Sequence, residues 1–142
     1  MTLSSKINLA FFNAYLELDK VCARRLDISR GGVSAYIGRL VEYRFAPERN
    51  EVLSRLIRYR NYRNVIAHEE NAIADLSEMT KADIRWLNKF ARSVSAKRDP
   101  VSRYERKARI FSVWRKVRLV LIALLAISIV VAGTMVVKKL GL

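Results

Sequence analysis

Residues 119–137 read LVLIALLAISIVVAGTMVV, nineteen positions without a charge. At about 1.5 Å per residue, a helix of this length covers roughly the ~30 Å hydrocarbon core of a bilayer. Twelve of the nineteen are Leu, Ile or Val. Each favours insertion by about 0.3–0.6 kcal/mol near the bilayer centre, roughly 4–7 kcal/mol together. A chain of 142 residues has too little mass to surround an all-apolar helix that long. The stretch also lies at the opposite end from a secretory signal, and the first twenty residues, MTLSSKINLAFFNAYLELDK, carry charges at helical spacing instead. The expectation is one transmembrane helix, Leu119 to Val137.

The flanks set its orientation. Lys97 to Arg118 hold nine Lys or Arg against Asp99 and Glu105, whereas only Lys138 and Lys139 follow the span. The positive-inside rule then places the N-terminal part in the cytoplasm, with the chain inserted as a single-pass, tail-anchored protein. Trp114 falls about one turn before the span, where an indole prefers the interface. Arg115, Lys116 and Arg118 beside it are set to meet anionic head groups.

Residues 1–118 suffice for one domain with a single core. They carry 25 of the 27 basic residues and all 13 acids, a net charge of +12. Such an excess calls for a polyanionic partner, either nucleic acid or lipid head groups. Cys22 is the only cysteine and His68 the only histidine. An intramolecular disulfide is thereby excluded, and a zinc site of the usual Cys/His kind is disfavoured. No metal or cofactor is expected, and Cys22 reads as core.

Apolar periodicity predicts a first helix from about Ser5 to Leu26, with Ile7, Ala10, Phe11, Ala14, Leu18, Val21 and Cys22 on its buried stripe. Gly31-Gly32 breaks it as a turn. A second helix runs from about Val33 to Phe45 and stops ahead of Pro47. A third, from about Arg49 to His68, carries Val52, Leu56, Tyr59, Arg63 and Ile66 along one face. The segment Glu69 to Asp83 holds five acids and one Lys, and Thr80-Lys-Ala-Asp83 forms a capping-box start for a fourth helix, whose stripe is Ile84, Leu87, Phe90, Ala91 and Val94. Asp99-Pro100 supplies an N-cap and a proline at the first helical position, with no further breaker before Gly133. The fifth helix is therefore expected to run unbroken into the membrane, with Val101, Tyr104, Ala108 and Phe111 as a narrow seam for the domain or a second copy. The fold class is all-α: an up-and-down bundle of about four to five helices followed by one transmembrane helix. The boundaries are 1–99 for the bundle, 100–118 for a basic juxtamembrane helix, 119–137 for the span and 138–142 for a short tail.

The third helix contains Arg63-Asn64-Val65-Ile66-Ala67-His68. Here the sequence resembles the HEPN superfamily, small helical bundles that include many metal-independent ribonucleases. Their motif is Arg, usually followed by a polar residue, then four to six positions to His; Arg63, Asn64 and His68 fill the three places. The resemblance rests on six residues in motif and on the whole soluble part in architecture. It implies Arg63, Asn64 and His68 as catalytic residues and RNA as substrate. It also implies pairing of two motif helices across a two-fold axis, hence a homodimer or higher homo-oligomer. Residue chemistry agrees: cleavage without metal needs a base for the ribose 2′-OH, an acid for the leaving 5′-oxygen and positive charge at the phosphorane. An imidazole such as that of His68 can shuttle a proton near neutrality, and Arg63 can grip a phosphate through two hydrogen bonds. Five residues at ~100° place Arg63 and His68 about 140° apart around the helix, so one helix does not easily aim both at one phosphate. Arg60 extends the Asn64–His68 stripe by one turn, and Arg60 and Arg58 are expected to bind RNA or phosphate. The interleaved Tyr59 and Tyr62 offer base stacking or, more simply, a core edge.

The blander account pairs Arg63 with Glu69 or Glu70 and leaves His68 at a helix C-terminus. Three functions follow. The first is a membrane-anchored HEPN-type ribonuclease of a bacterial antiphage defence or toxin system, sited in the bacterial inner membrane and answering to a defence-system partner protein. The second is a non-enzymatic membrane effector that oligomerises into a pore, for which membrane HEPN-like CRISPR accessory proteins are the precedent. Ser128 and Ala132 give it a small-residue contact, whereas the span lacks a charged face. The third is a basic RNA- or lipid-binding adaptor.

Overall fold

Breakers and caps partition the chain into helices. The computed structural model describes residues 3–68, 79–139 and 141, and these form α1 (Leu3–Leu26), α2 (Gly32–Glu42), α3 (Arg49–His68), α4 (Lys81–Ser95) and α5 (Pro100–Lys139), with no strand among them. The all-α expectation holds. Two compact units result, divided between Tyr104 and Glu105. The first turn of α5 thus belongs with the bundle, five residues beyond the boundary read from the sequence.

In the first unit, α1 is the central element and packs on α2, α3 and α4. Phe11, Leu18 and Cys22 of α1 close the core with Tyr36 and Leu40 of α2, Leu56 and Tyr59 of α3, Leu87 and Val94 of α4, and Val101 of α5. The predicted stripes are buried or, at Ile7, Arg63 and Ile84, partly buried, except at Ala10 of α1: it is exposed, and Asn8 is buried instead, accepting a 2.9 Å hydrogen bond from the Tyr62 hydroxyl. A short polar side chain enters the core here because a tyrosine satisfies it.

Gly31 makes the turn before α2 with φ +70°, which costs glycine nothing. Gly32, the first residue of α2, has another role. A Cβ there would lie 2.0 Å from the Asp19 carbonyl oxygen and 2.4 Å from the Ala23 nitrogen, both backbone atoms of α1. The two helices approach this closely because nothing stands between them. The Asp19 carboxylate reaches across to accept a 2.8 Å hydrogen bond from the Val33 N–H, one of the orphan donors of the new helix. Helix α2 then ends at Glu42, three residues short of the predicted Phe45. Tyr43 leaves helical geometry at φ −87°, ψ 73°, and its ring stacks on Tyr104 at 4.6 Å. That stack, together with Pro47 ahead, ends the helix early and leaves Phe45 86% exposed.

Helix α4 starts on the predicted capping box. The Asp83 N–H donates to the Thr80 hydroxyl at 3.3 Å, and Asp83 Oδ2 accepts from the Thr80 N–H at 2.9 Å. Tyr59 adds a 2.8 Å hydrogen bond to Asp83 Oδ1, tying α3 to the cap. Burial pushes the Asp83 carboxyl up. The hydrogen bonds from Thr80 and Tyr59, with the Arg58 charge, outweigh burial and hold it below the ordinary carboxylate value. The predicted start of α5 also holds. Asp99 is 1% exposed, and its Oδ2 accepts from the Ser102 N–H at 3.1 Å and from the Tyr36 hydroxyl at 2.7 Å. Burial, followed by the adjacent Asp99 carboxylate, raises the Tyr36 hydroxyl far above its usual range, so it remains a donor.

The second unit is the rest of α5. The helix continues through Gly133 without a break, and it is long and apolar enough to cross a membrane, with none of its apolar window buried. The expected seam divides: Val101 is buried and Tyr104 partly so, while Ala108 and Phe111 are exposed.

Candidate functional site

Helix α3 owes its orientation to Val52, Leu56, Tyr59, Tyr62 and Ile66, all buried. Tyr59 and Tyr62 meet the Phe11 ring edge-on, with centroids at 5.6 and 5.2 Å. Both tyrosines are therefore core, and the base-stacking alternative is overturned by their burial at 1% and 6% exposure. With these residues turned inward, the polar ones divide between two edges.

Arg60 and Arg63 occupy the edge toward α1. Burial, then the Asp19 charge, pushes the Tyr15 hydroxyl up to about 12, while Arg63 and Arg60 pull the other way. Arg63 is half-buried, its guanidinium carbon 5.9 Å from the centre of the Phe12 ring. Nη1 donates to Asn64 Oδ1 at 3.3 Å, and the buried Nε has no hydrogen-bond partner among the described residues. Asn64 is exposed. The fold thus brings Arg63 and Asn64 together. His68 is the last residue of α3, one helical turn beyond Asn64; its side chain, and Glu69 and Glu70 as alternative partners of Arg63, lie outside the described residues.

Arg58 is on the opposite edge. It lies 5.9 Å over the Tyr59 ring and acts electrostatically on Asp83 of α4. Arg58 and Arg60 therefore face different edges of α3: two residues at ~100° each put them on opposite sides of the helix. Among the described residues, no three of His, Cys, Asp or Glu gather as a metal-binding group.

On α5, Trp114 is 68% exposed, and Arg115, Lys116 and Arg118 are exposed beside it. Phe111, Trp114, Val117 and Leu121 share a shallow groove with Arg115 and Arg118. Ile110 and Val113, also exposed, extend this apolar side toward the bundle, an extension that the sequence reading missed. Their spacing from Val117 and Leu121, in steps of three and four, is the signal that finds them.

A protein family described as a family of unknown function (DUF6548) matches residues 9–119. The chain belongs to this family. In this DUF6548 protein the match runs from within α1 to the first residue of the apolar stretch, so it takes in the bundle and the basic segment of α5. No curated protein and no solved structure matches the chain.

Proposed function

We propose that this DUF6548 protein is a membrane-anchored ribonuclease of the HEPN type, with its bundle on the cytoplasmic side of a bacterial inner membrane and its site completed by a second copy. The observation that carries the reading is the course of α3. The helix runs without interruption to His68, holding Arg63 against Asn64 with Asn64 open to solvent one turn before the histidine. In this reading Arg63 binds the scissile phosphate, Asn64 orients it, and His68 transfers the proton. The ribose 2′-oxygen attacks phosphorus as its proton passes to an imidazole, and the P–O5′ bond breaks as O5′ takes up a proton. The products are a 2′,3′-cyclic phosphate and a 5′-hydroxyl. Two copies supply two imidazoles, one as base and one as acid. Because Arg63 and His68 diverge by about 140° on one helix, the second copy also supplies the missing half of each pair. Confinement to a membrane raises the effective concentration at which the motif helices meet. A defence or toxin role fits an activity that must wait for a trigger.

The test uses the full chain in lipid nanodiscs with single-stranded RNA in EDTA. Cleavage yields cyclic-phosphate ends, and Arg63→Ala and His68→Ala each lower the rate by about a hundredfold or more. Cleavage that survives His68→Ala contradicts the reading. So does membrane depolarisation in cells that persists in both variants and disappears when residues 119–142 are deleted; that result makes the protein a pore-forming effector.

A further inference from the structure

We propose that α4 presents a track for the phosphate backbone of single-stranded RNA, formed by Lys81, Arg85, Lys89 and Arg92 and continued onto α3 by Arg55 and Arg58. The proposal rests on the RNA reading above but locates a binding surface apart from the motif. The four α4 residues recur at steps of four, four and three, which confines them to an arc of about 80° and stretches them along roughly 16 Å of one ridge. All four are exposed. Lys81, Arg85 and Lys89 form no ion pair among the described residues, and Arg92 donates only to the Asn88 carbonyl, at 3.3 Å. The one acid on α4, Asp83, has both oxygens engaged by Thr80 and Tyr59.

Arg55 and Arg58 join the ridge through the same edge. The Arg55 guanidinium lies 5.3 Å over Trp86 of α4 while bound to Glu51 at 3.2 Å, and the Arg58 charge acts on Asp83. Helical spacing puts Arg85 and Lys89 on the outward side of Trp86. Core packing keeps α3 and α4 at this separation, so the basic row is held by the fold.

The neighbours of these charges select RNA over lipid. A helix that lies on a membrane sets basic residues around an exposed apolar face. That is the pattern of α5 between Arg109 and Arg118, where Ile110, Phe111, Val113, Trp114 and Val117 are 43–72% exposed. On α4 no large hydrophobic residue is exposed; its apolar stripe is turned into the core. A basic ridge without large exposed apolar side chains suits a hydrated phosphate chain, whose binding releases counterions.

The experiment uses the full chain carrying His68→Ala, so that no strand is cut, in zwitterionic nanodiscs with a fluorescent single-stranded RNA. Replacing Lys81, Arg85, Lys89 and Arg92 together by Gln weakens binding roughly tenfold or more near 0.1 M salt. The same change lowers the slope of log K against log salt by about 3, at ~0.7 per phosphate contact. A variant with the charge retained, Arg85→Lys with Arg92→Lys, keeps both affinity and slope. Equal RNA binding by the Gln variant and its parent overturns the track and leaves the RNA reading standing. A parent that binds no RNA overturns both. Unchanged RNA binding with lost association to phosphatidylserine vesicles makes the ridge a lipid surface and also overturns the proposal.

Discussion

Gly32→Ala lowers the melting temperature of the bundle by about 12 °C or more, corresponding to roughly 3 kcal/mol in a domain of this size. The added methyl would fall 2.0 Å from a carbonyl oxygen and 2.4 Å from an amide nitrogen of α1. Both belong to helix backbone and cannot rotate aside. Helix α2 must move away, opening the contact among Leu18, Cys22, Val33 and Tyr36 and pulling the Val33 N–H from the Asp19 carboxylate. Gly38 is the control within the same helix. A Cβ there meets nothing within 4 Å, so Gly38→Ala is neutral or stabilises by up to ~1 kcal/mol through helix propensity. Thermal melts of the nanodisc-embedded chain, followed by circular dichroism, compare the two. A Gly32→Ala melt within about 3 °C of the parent contradicts the close-approach account.

Asp99→Ala destabilises the bundle by about 2–4 kcal/mol. Two losses add: the N-cap of α5, worth ~1 kcal/mol, and the acceptor for the buried Tyr36 hydroxyl, whose desolvation without a partner costs ~1–3 kcal/mol. Asp99 Oδ1 has no partner among the described residues. The stabilisation therefore runs through Oδ2, which accepts from both Ser102 and Tyr36. Asp99→Asn keeps an oxygen at that position and is expected to lose less than half as much. Denaturant titration with Trp86 fluorescence reads both, since Trp86 stacks on Phe90, which in turn packs edge-on against Tyr36. Equal losses for Ala and Asn contradict the shared-acceptor role.

These two residues also mark how far the sequence could be read. Asp99-Pro100 declared a helix start because capping is local: the residues that cap and the amides they cap are neighbours. Thr80 to Asp83 was legible for the same reason. That Asp99 also receives Tyr36, 63 residues away, is tertiary information with no periodic signature. Gly31-Gly32 announced a turn, yet only the packed helices distinguish the glycine that turns from the one that lets two backbones touch. The expected end of α2 at Phe45 rests on Pro47, the nearest local breaker, whereas the Tyr43–Tyr104 stack at the observed end is again long-range. At the candidate site, the α3 boundaries and the burial of its stripe were readable from spacing alone. The separation of Arg58 from Arg60 follows from the 100° step alone. The ridge on α4 is equally periodic in the sequence, at steps of four, four and three, but belongs to no motif. The contact of Arg63 with Phe12 needed the fold, because it depends on how α1 crosses α3.

Everything proposed about function depends on α5 crossing the bilayer once with the bundle on the cytoplasmic side, and cysteine labelling tests this directly. The native Cys22 is buried, and burial, with Asp19 and Asp99 nearby, raises its thiol far above the usual range, so it stays silent toward maleimides in the folded chain. Single cysteines are introduced at Ser95, exposed at the end of α4, and at Gly141, beyond α5. With a membrane-impermeant maleimide, Gly141→Cys is labelled in intact spheroplasts and Ser95→Cys only in inverted membrane vesicles. Labelling of both from the same face, or recovery of the chain in the soluble fraction after an alkaline wash, contradicts the account.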